Sequence, residues 1–151
     1  TTEAKRLMLR VAMARPWAAV MWKSYLPKLY AGRRPADFED YRARVVASIR
    51  RPGYAKAFSM TTRTNHEPVN ARLREVTAPT MVVMGALDPD FNDPAAEAGW
   101  IADILRGEVV MVAEAGHYPQ SQQPDASADA VLRFLDSVEK HRDGPGQPAL
   151  S

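Results

Sequence analysis

Two polar residues that can do acid–base chemistry follow apolar runs in the second half of the sequence. Asp88 lies in "GALDPD", directly after "TMVVM", and His117 lies in "EAGHYP", directly after "EVVMVA". A carboxylate that accepts a hydrogen bond from one ring nitrogen of a histidine fixes the tautomer, stabilises the charged ring and leaves the other nitrogen free to act as a base. The two residues therefore predict an acid–base pair if the fold brings their loops together. Adjacent parallel strands would do so, because functional loops gather at their carboxyl ends.

The residues around this pair predict a strand–helix–strand–helix order. Residues 80–84 form a continuous apolar run, which suits a strand buried on both faces of a parallel sheet, and residues 108–113 form a second apolar strand. Between them, Asp93 is a candidate N-cap, Pro94 occupies the first helical position and Gly107 follows the end of the helix. This order with short loops predicts a right-handed parallel crossover, the repeating unit of α/β proteins.

A final amphipathic helix is predicted after Pro124. Its pattern turns four apolar side chains inward, namely Val131, Leu132, Leu135 and Val138. Residues 144–151, "GPGQPALS", have the composition of a disordered tail. Because two parallel strands cannot form a stable sheet by themselves, residues 76–143 look like one edge of a larger sheet whose other strands are not in this sequence.

The first half of the sequence looks helical throughout and is strongly basic. Its apolar spacing predicts a helix over 36–51, which Pro52 and Gly53 end. Residues 1–75 carry 16 Lys/Arg against 6 Asp/Glu, a net charge of +10, whereas residues 76–151 carry 4 against 12, a net charge of −8. A basic half beside an acidic half indicates either a nucleic-acid surface or two regions that face each other.

The C-terminal motifs resemble the last third of the α/β-hydrolase fold family. "APTMVVMGALDPDF" and "GEVVMVAEAGHYPQSQQPDASADAVLRFL" are similar to the family's Gly-x-x-Asp after its seventh strand and Gly-His-x-Pro after its eighth. The resemblance implies that Asp88 is the acid and His117 the base of a nucleophile–His–acid triad, with Asp90 as the alternative acid. It covers residues 76–138 closely. Residues 1–75 match only in kind, as the helical cap that many members insert after their sixth strand.

The sequence departs from the family in its nucleophile. In that family the nucleophile precedes the cap, on a turn of the Gly-x-Ser-x-Gly type or an Asp equivalent. No serine here has glycines at that spacing or follows a buried strand, and the serines are Ser24, Ser48, Ser59, Ser121, Ser127, Ser137 and Ser151. We therefore expect an α/β protein with a partial α/β-hydrolase fold: a mostly helical cap or lid over 1–75, the C-terminal segment of the core over 76–143, and the tail over 144–151. We expect no efficient hydrolysis by these residues alone.

The missing nucleophile leaves the reaction open. A serine would give ester or C–C bond hydrolysis through an acyl-enzyme, or serve a cofactor-free haloperoxidase-like site, and an aspartate would open epoxides or haloalkanes. The partners implied by the resemblance are a small apolar ester, epoxide or similar substrate and the missing N-terminal hydrolase segment. Trp17 and Trp22 are the candidates for lining the substrate pocket, although aromatic residues at helical spacing are more often ordinary core.

Composition disfavours other kinds of site. The sequence has no cysteine and three histidines without His-x-x-x-His spacing, so we expect no metal, and it has no glycine-rich phosphate loop, so we expect no cofactor. His66 and His141 are expected to be solvated. The sequence contains no run of eighteen or more apolar residues, the length that a membrane-spanning helix needs. The absence of cysteine fits a reducing cytoplasm, which is the expected location.

Two alternatives from other function classes stay open. The chain could be a non-catalytic or split subunit that is completed by a separate chain holding the nucleophile. Its basic helical half could instead bind nucleic acid through the phosphates. The second alternative is the weaker one, because the arginines are spread over several helices without a helix-turn-helix signature.

Overall fold

The computed structural model describes residues 17–61, 65 and 67–142. The predictions made for residues 1–16 at the start of the cap region, for His66 and for the tail over 144–151 lie outside the described residues.

The N-terminal half of the described chain consists of helices and turns, as its apolar spacing predicts. Its helices are α1 (Ala18–Leu29), α2 (Phe38–Arg50), α3 (Tyr54–Thr61) and α4 (Glu67–Arg72), and a 3₁₀ turn follows over Leu73–Glu75. The helix predicted over 36–51 is α2. After α2 the chain turns at Gly53. This residue has a φ of +85°, a left-handed backbone conformation that glycine adopts without steric cost.

An apolar cluster holds α1 against α2. Tyr30, directly after α1, packs on Phe38 at the start of α2 with ring centroids 4.8 Å apart. The cluster's buried members are Leu26, Leu29, Tyr30 and Phe38, and the side chains packed around them are Trp22, Tyr25, Tyr41, Val45 and Tyr118. Because Tyr118 comes directly after His117 in the chain, this cluster joins the helical half to the predicted site.

The C-terminal half has the predicted strand–helix–strand–helix order. Its elements are β1 (Met81–Gly85), α5 (Pro94–Leu105), β2 (Glu108–Val112), the short α6 (Pro119–Gln122) and α7 (Pro124–Arg142). The two strands pair in parallel, from Met81 opposite Glu108 to Gly85 opposite Val112, so that they end level with each other.

The helix between the strands begins and ends where the sequence predicts. The side chain of Asp93 accepts a hydrogen bond from the Ala96 N–H at 3.0 Å, and Pro94 occupies the first turn. This cap satisfies one of the N–H groups that have no partner inside the helix. At the other end, Arg106 adopts a left-handed backbone with φ of 55°, directly before Gly107.

The inward orientation predicted for the apolar side chains of α7 is wrong for the described chain, and β2 also exposes apolar side chains. On β2, Val109 and Met111 are 39% and 36% exposed. Three of the four side chains expected to point inward from α7 are also exposed, Val131 at 41%, Leu132 at 59% and Leu135 at 48%. The periodic pattern marked apolar faces correctly, but the described residues form a sheet of only two strands, which leaves these faces uncovered.

None of the helices in the described ranges is both long enough and apolar enough to cross a membrane.

Gly85, the last residue of β1, allows the loops after both strands to approach each other. A Cβ at this position would lie 1.9 Å from the carbonyl oxygen of Gly116 and 2.6 Å from that of Ala115. We expect Gly85→Ala to lower the free energy of unfolding by about 1–3 kcal/mol or more, because the backbone must shift. Urea denaturation measures this change.

The matched control is Gly99→Ala in α5, where a Cβ would have no atom within 4 Å. There we expect the unfolding free energy to rise by about 0.5–1 kcal/mol, since alanine favours a helix interior over glycine. Equal effects of the two substitutions would contradict the close approach at Gly85.

Candidate functional site

The loops that follow β1 and β2 run side by side. The Ala86 N–H donates to the carbonyl of Val112 at 2.9 Å, and the Leu87 N–H donates to the carbonyl of Ala115 at 2.8 Å. These two backbone bonds continue the contact of the paired strands beyond their ends. They bring Asp88 to the loop that carries His117.

Asp88 and His117 form the pair that their positions after the strands predict. Nδ1 of His117 lies 2.9 Å from Oδ2 of Asp88. Asp88 is only 5% exposed, and its Oδ1 accepts the Asp90 N–H at 3.0 Å, so both carboxylate oxygens have partners. The His117 side chain is 37% exposed, and no side chain in the described part of the chain hydrogen-bonds to its Nε2. The geometry is that of an oriented imidazole with one ring nitrogen available.

A second carboxylate lies next to the same ring nitrogen. Oδ2 of Asp90 is 3.5 Å from Nδ1 of His117, and Oδ1 of Asp90 accepts a hydrogen bond from the Tyr25 hydroxyl at 2.5 Å. Asp88 is the closer and the more buried of the two acids. The geometry therefore favours Asp88 over the alternative acid Asp90 as the partner of the ring.

The contact of Tyr25 with Asp90 was not predicted from the sequence. Burial raises the pKa of the Tyr25 hydroxyl, and the hydrogen bond to Asp90 with the negative charges of Asp90 and Asp88 raises it further. The hydroxyl therefore stays protonated and continues to donate through the neutral pH range. Its position within α1 looks like ordinary core in the sequence, because its partner Asp90 is 65 residues away.

Asp88, Asp90 and His117 also have the composition of a metal site. Each offers a ligand atom, and these atoms lie within 4.8 Å of one another. The sequence led us to expect no metal. The ligand atom nearest the carboxylates, Nδ1 of His117, is accounted for by its hydrogen bond to Asp88, which makes acid–base chemistry the simpler use of these three side chains.

The loop carrying His117 is attached to the end of α1. The His117 N–H donates to the carbonyl of Leu29 at 2.8 Å, and the Arg33 N–H donates to the carbonyl of Glu114 at 2.9 Å. The buried side chain of Gln122 adds further bonds between the same two segments. The sequence reasoning missed Gln122, because a glutamine in the polar stretch "PQSQQPD" carries no sign that it is buried.

A cavity of about 420 Å³ lies among α1, α2 and α3 near His117. It is lined by Trp22, Leu26, Tyr41, Arg44, Val45, Ser48, Ile49, Phe58 and Tyr118. Tyr118 also meets the His117 ring edge to face, with centroids 5.0 Å apart. Trp22 thus lines a cavity whose wall includes Tyr118, the residue that contacts the His117 ring. Trp17 is 60% exposed and is not among the lining residues, so its predicted substrate contact stays a prediction without support from this geometry.

No protein-family model matches the sequence, and no curated protein sequence matches it significantly. Solved structures do. A thermophilic esterase from Thermogutta terrifontis, with malate bound, matches with a TM-score of 0.57 and 22% identity over 89% of this chain and 50% of its own. A membrane phospholipase A described as a bacterial virulence factor matches with a TM-score of 0.56 and 22% identity over 80% of this chain and 39% of its own.

A third similar structure is Est816, described as an N-acyl homoserine lactone degrading enzyme. It matches with a TM-score of 0.52 and 19% identity over 82% of this chain and 49% of its own. The chain thus spans about half the length, or less, of the solved structures it matches. It has part of the α/β-hydrolase fold, as its C-terminal motifs led us to expect.

The contact between Tyr25 and Asp90 has a measurable consequence at alkaline pH. Since the Asp90 carboxylate raises the pKa of Tyr25 by accepting its hydrogen bond and by its charge, Asp90→Asn is expected to lower that pKa towards its ordinary value of about 10. Ultraviolet titration of phenolate, with the curve of Tyr25→Phe subtracted, isolates this residue. Asp103→Asn on the exposed side of α5 is the matched control. An unchanged Tyr25 titration in Asp90→Asn would contradict the contact.

Proposed function

We propose that this chain supplies the acid and the base of a hydrolase site of the nucleophile–His–Asp type. The observation that carries the proposal is the pairing of buried Asp88 with Nδ1 of His117, at the level ends of two parallel strands. Nε2 of the same ring is free of hydrogen bonds to described side chains, and the His117 side chain is 37% exposed. The α/β-hydrolase fold of the chain supports the same interpretation.

In this proposal the two residues have distinct roles. Asp88 accepts the Nδ1–H hydrogen bond, which keeps the neutral ring in the tautomer whose Nε2 carries a lone pair. Nε2 of His117 then removes a proton from the nucleophile or from the hydrolytic water. The negative charge of Asp88 stabilises the imidazolium that forms, and the ring later returns the proton to the leaving group.

The nucleophile and the donors that stabilise the oxyanion would come from polypeptide outside these 151 residues. Two observations support this. The chain spans half or less of the similar structures. In addition, β2 and α7 expose apolar side chains, among them Met111 and Leu132, that a larger sheet would cover. We accordingly propose that the helices up to residue 75 form the cap and that the rest of the described chain belongs to the core.

Ester hydrolysis is the reaction that we favour. Two of the three similar structures are named as an esterase and a phospholipase, which favours a serine nucleophile over an aspartate that would open epoxides. The apolar cavity between the cap helices suits a small apolar acyl or alcohol group. We propose the cytoplasm as the place of action, in keeping with the absence of cysteine.

The exposed apolar face favours one alternative function, that of a split subunit. Exposed apolar side chains on neighbouring elements can serve in binding another chain. A separate chain that carries the nucleophile could cover β2 and α7 and complete the site in trans. This alternative and the proposed hydrolase differ in whether the nucleophile is encoded in the same chain, and both assign the same roles to Asp88 and His117.

The roles of the pair can be tested in an assembly that contains the nucleophile, obtained by expressing this chain together with its flanking coding sequence. We expect His117→Ala to lower kcat for an aryl ester by about 10²–10⁴-fold, because the general base is lost. Asp88→Asn should lower it by a comparable factor, because the ring loses its tautomer control. Asp90→Asn is the matched control and should have a much smaller effect.

Two results would contradict the proposal. A larger loss in Asp90→Asn than in Asp88→Asn would transfer the role of the acid to Asp90. Aryl ester hydrolysis by the 151 residues alone, abolished in His117→Ala, would locate a nucleophile within this chain.

The cavity gives a separate expectation for the two tryptophans. Trp22→Ala should weaken binding of a short-chain 4-nitrophenyl ester to the chain, because Trp22 forms part of the cavity wall. Trp17→Ala should leave binding nearly unchanged, since its side chain is outside the lining. Ester binding is measured by the quenching of tryptophan fluorescence, corrected for the residue removed. Equal losses in the two variants would show that the substrate does not occupy this cavity.

A further inference from the structure

We propose that Gln122 is a positioning residue for His117, which acts by locking the histidine loop, residues 114–118, to the segment at the end of α1, residues 29–33. This inference rests on the proposed role of His117 as the base. It goes beyond that role, because it adds a residue outside the acid–base pair and makes the cap part of the device that orients the ring.

The Gln122 side chain bridges the two segments with four hydrogen bonds. It is only 2% exposed. Its Oε1 accepts the N–H of Gly116 at 2.9 Å and that of Tyr118 at 3.4 Å. Its Nε2 donates to the carbonyls of Ala31 at 2.8 Å and Arg33 at 2.7 Å. Both amide protons and both acceptor positions are thus in use, which is the full capacity of a glutamine side chain.

The pattern of partners makes glutamine the specific solution at this position. One end of the side chain faces two N–H groups, and the other end faces two carbonyls. A glutamate could accept from the N–H groups, but its second oxygen would face the carbonyls of Ala31 and Arg33 without a proton to donate. A methionine would fill a similar volume and make none of the four bonds.

The two bonds at Oε1 fix His117 itself, because Gly116 and Tyr118 are its neighbours on either side. The His117 N–H is bonded to the carbonyl of Leu29, so the loop is held on three successive residues. The histidine loop also lies very close to residues 29–33, since a Cβ on Gly116 would be 2.3 Å from the Leu29 carbonyl oxygen. A shift of the segment at the end of α1 would therefore move the imidazole relative to Asp88.

The backbone at Glu114, three residues before His117, also contacts the segment at the end of α1. Glu114 has a φ of 53°, in the left-handed region that residues other than glycine rarely adopt. Its carbonyl accepts the Arg33 N–H at 2.9 Å and lies 2.4 Å from where a Cβ on Gly32 would be. Gly32 has a φ of +83°, so the two segments fit together through one strained residue and one glycine.

Hydrogen exchange of the unaltered 151-residue chain provides the first measurement. The Gly116 N–H should exchange far more slowly than the N–H groups of the exposed strand edge, because it donates to a buried acceptor. Rapid exchange of the Gly116 N–H in the folded chain would overturn the proposal without any variant.

The second measurement is the tautomer of His117, read from the ¹⁵N chemical shifts of its two ring nitrogens with the ring neutral. In the unaltered chain the Nδ1-protonated form should dominate, as the bond to Asp88 requires. In Gln122→Met the ratio of this form to the Nε2-protonated form should fall by roughly five- to tenfold, the effect of weakening one hydrogen bond of ordinary strength. Gln122→Glu should behave like Gln122→Met, because a glutamate carboxylate cannot donate to the carbonyls of Ala31 and Arg33.

Two controls separate positioning from general loss of stability. Gln120→Met makes the same chemical change on the exposed side of α6. Ala98→Gly destabilises α5 away from the histidine loop, and it should lower the thermal midpoint without changing the tautomer ratio. A tautomer ratio in Gln122→Met equal to that in Ala98→Gly would reduce Gln122 to a structural residue and overturn the proposal. An unchanged tautomer ratio in Gln122→Glu would overturn the role proposed for the two hydrogen bonds from Gln122 to the carbonyls of Ala31 and Arg33.

These readouts need no turnover. If the completed assembly proved inactive while Gln122→Met still shifted the tautomer, the proposed function would fail and the positioning role would stand. If His117→Ala abolished activity while Gln122→Met left the ring unchanged, the positioning role alone would fail.

Discussion

The hydrogen bond between Nδ1 of His117 and Oδ2 of Asp88 is the interaction on which the whole site depends. It requires that two parallel strands end level, that the loops beyond them run side by side, and that Gly85 leaves room for that approach. It also requires a buried carboxylate whose other oxygen has a partner of its own, which the Asp90 N–H provides. Each of these conditions is local, and together they turn two ordinary loop residues into a hydrogen-bonded carboxylate–imidazole pair.

Helix α1 forms hydrogen bonds to the loops that carry both members of this pair. Its Tyr25 donates to Asp90 in the acid's loop, and the Leu29 carbonyl at its end accepts the N–H of His117. Gln122 extends that attachment from the histidine loop to the segment at the end of α1. The helical half of the chain thus lines a cavity and also forms hydrogen bonds to the loops that carry Asp90 and His117. The orientation of the imidazole depends on backbone that is some 90 residues earlier in the sequence, as the 91-residue separation between Gln122 and Ala31 illustrates.

The sequence was sufficient for the parts of this arrangement that are encoded by short-range patterns. The parallel crossover, the cap of α5 by Asp93 and the meeting of Asp88 with His117 follow from apolar runs, helix signals and the position of polar residues after strands. The contacts of Tyr25 and Gln122 could not be found in this way, because the partners of each residue lie far along the chain. The exposure of Leu132 on α7 was mispredicted for a different reason. An apolar pattern indicates which face seeks burial, but the described residues do not contain the strands that would cover it.

The most direct measurement of the central interaction is the proton resonance of Nδ1–H of His117 in the unaltered chain. A proton shared with a buried carboxylate exchanges slowly and appears at unusually low field. The arrangement described above predicts such a resonance, which moves clearly upfield in Asp88→Asn and stays nearly in place in Asp90→Asn. Absence of a low-field resonance from His117, or its dependence on Asp90 in preference to Asp88, would contradict the pairing from which the proposed function follows.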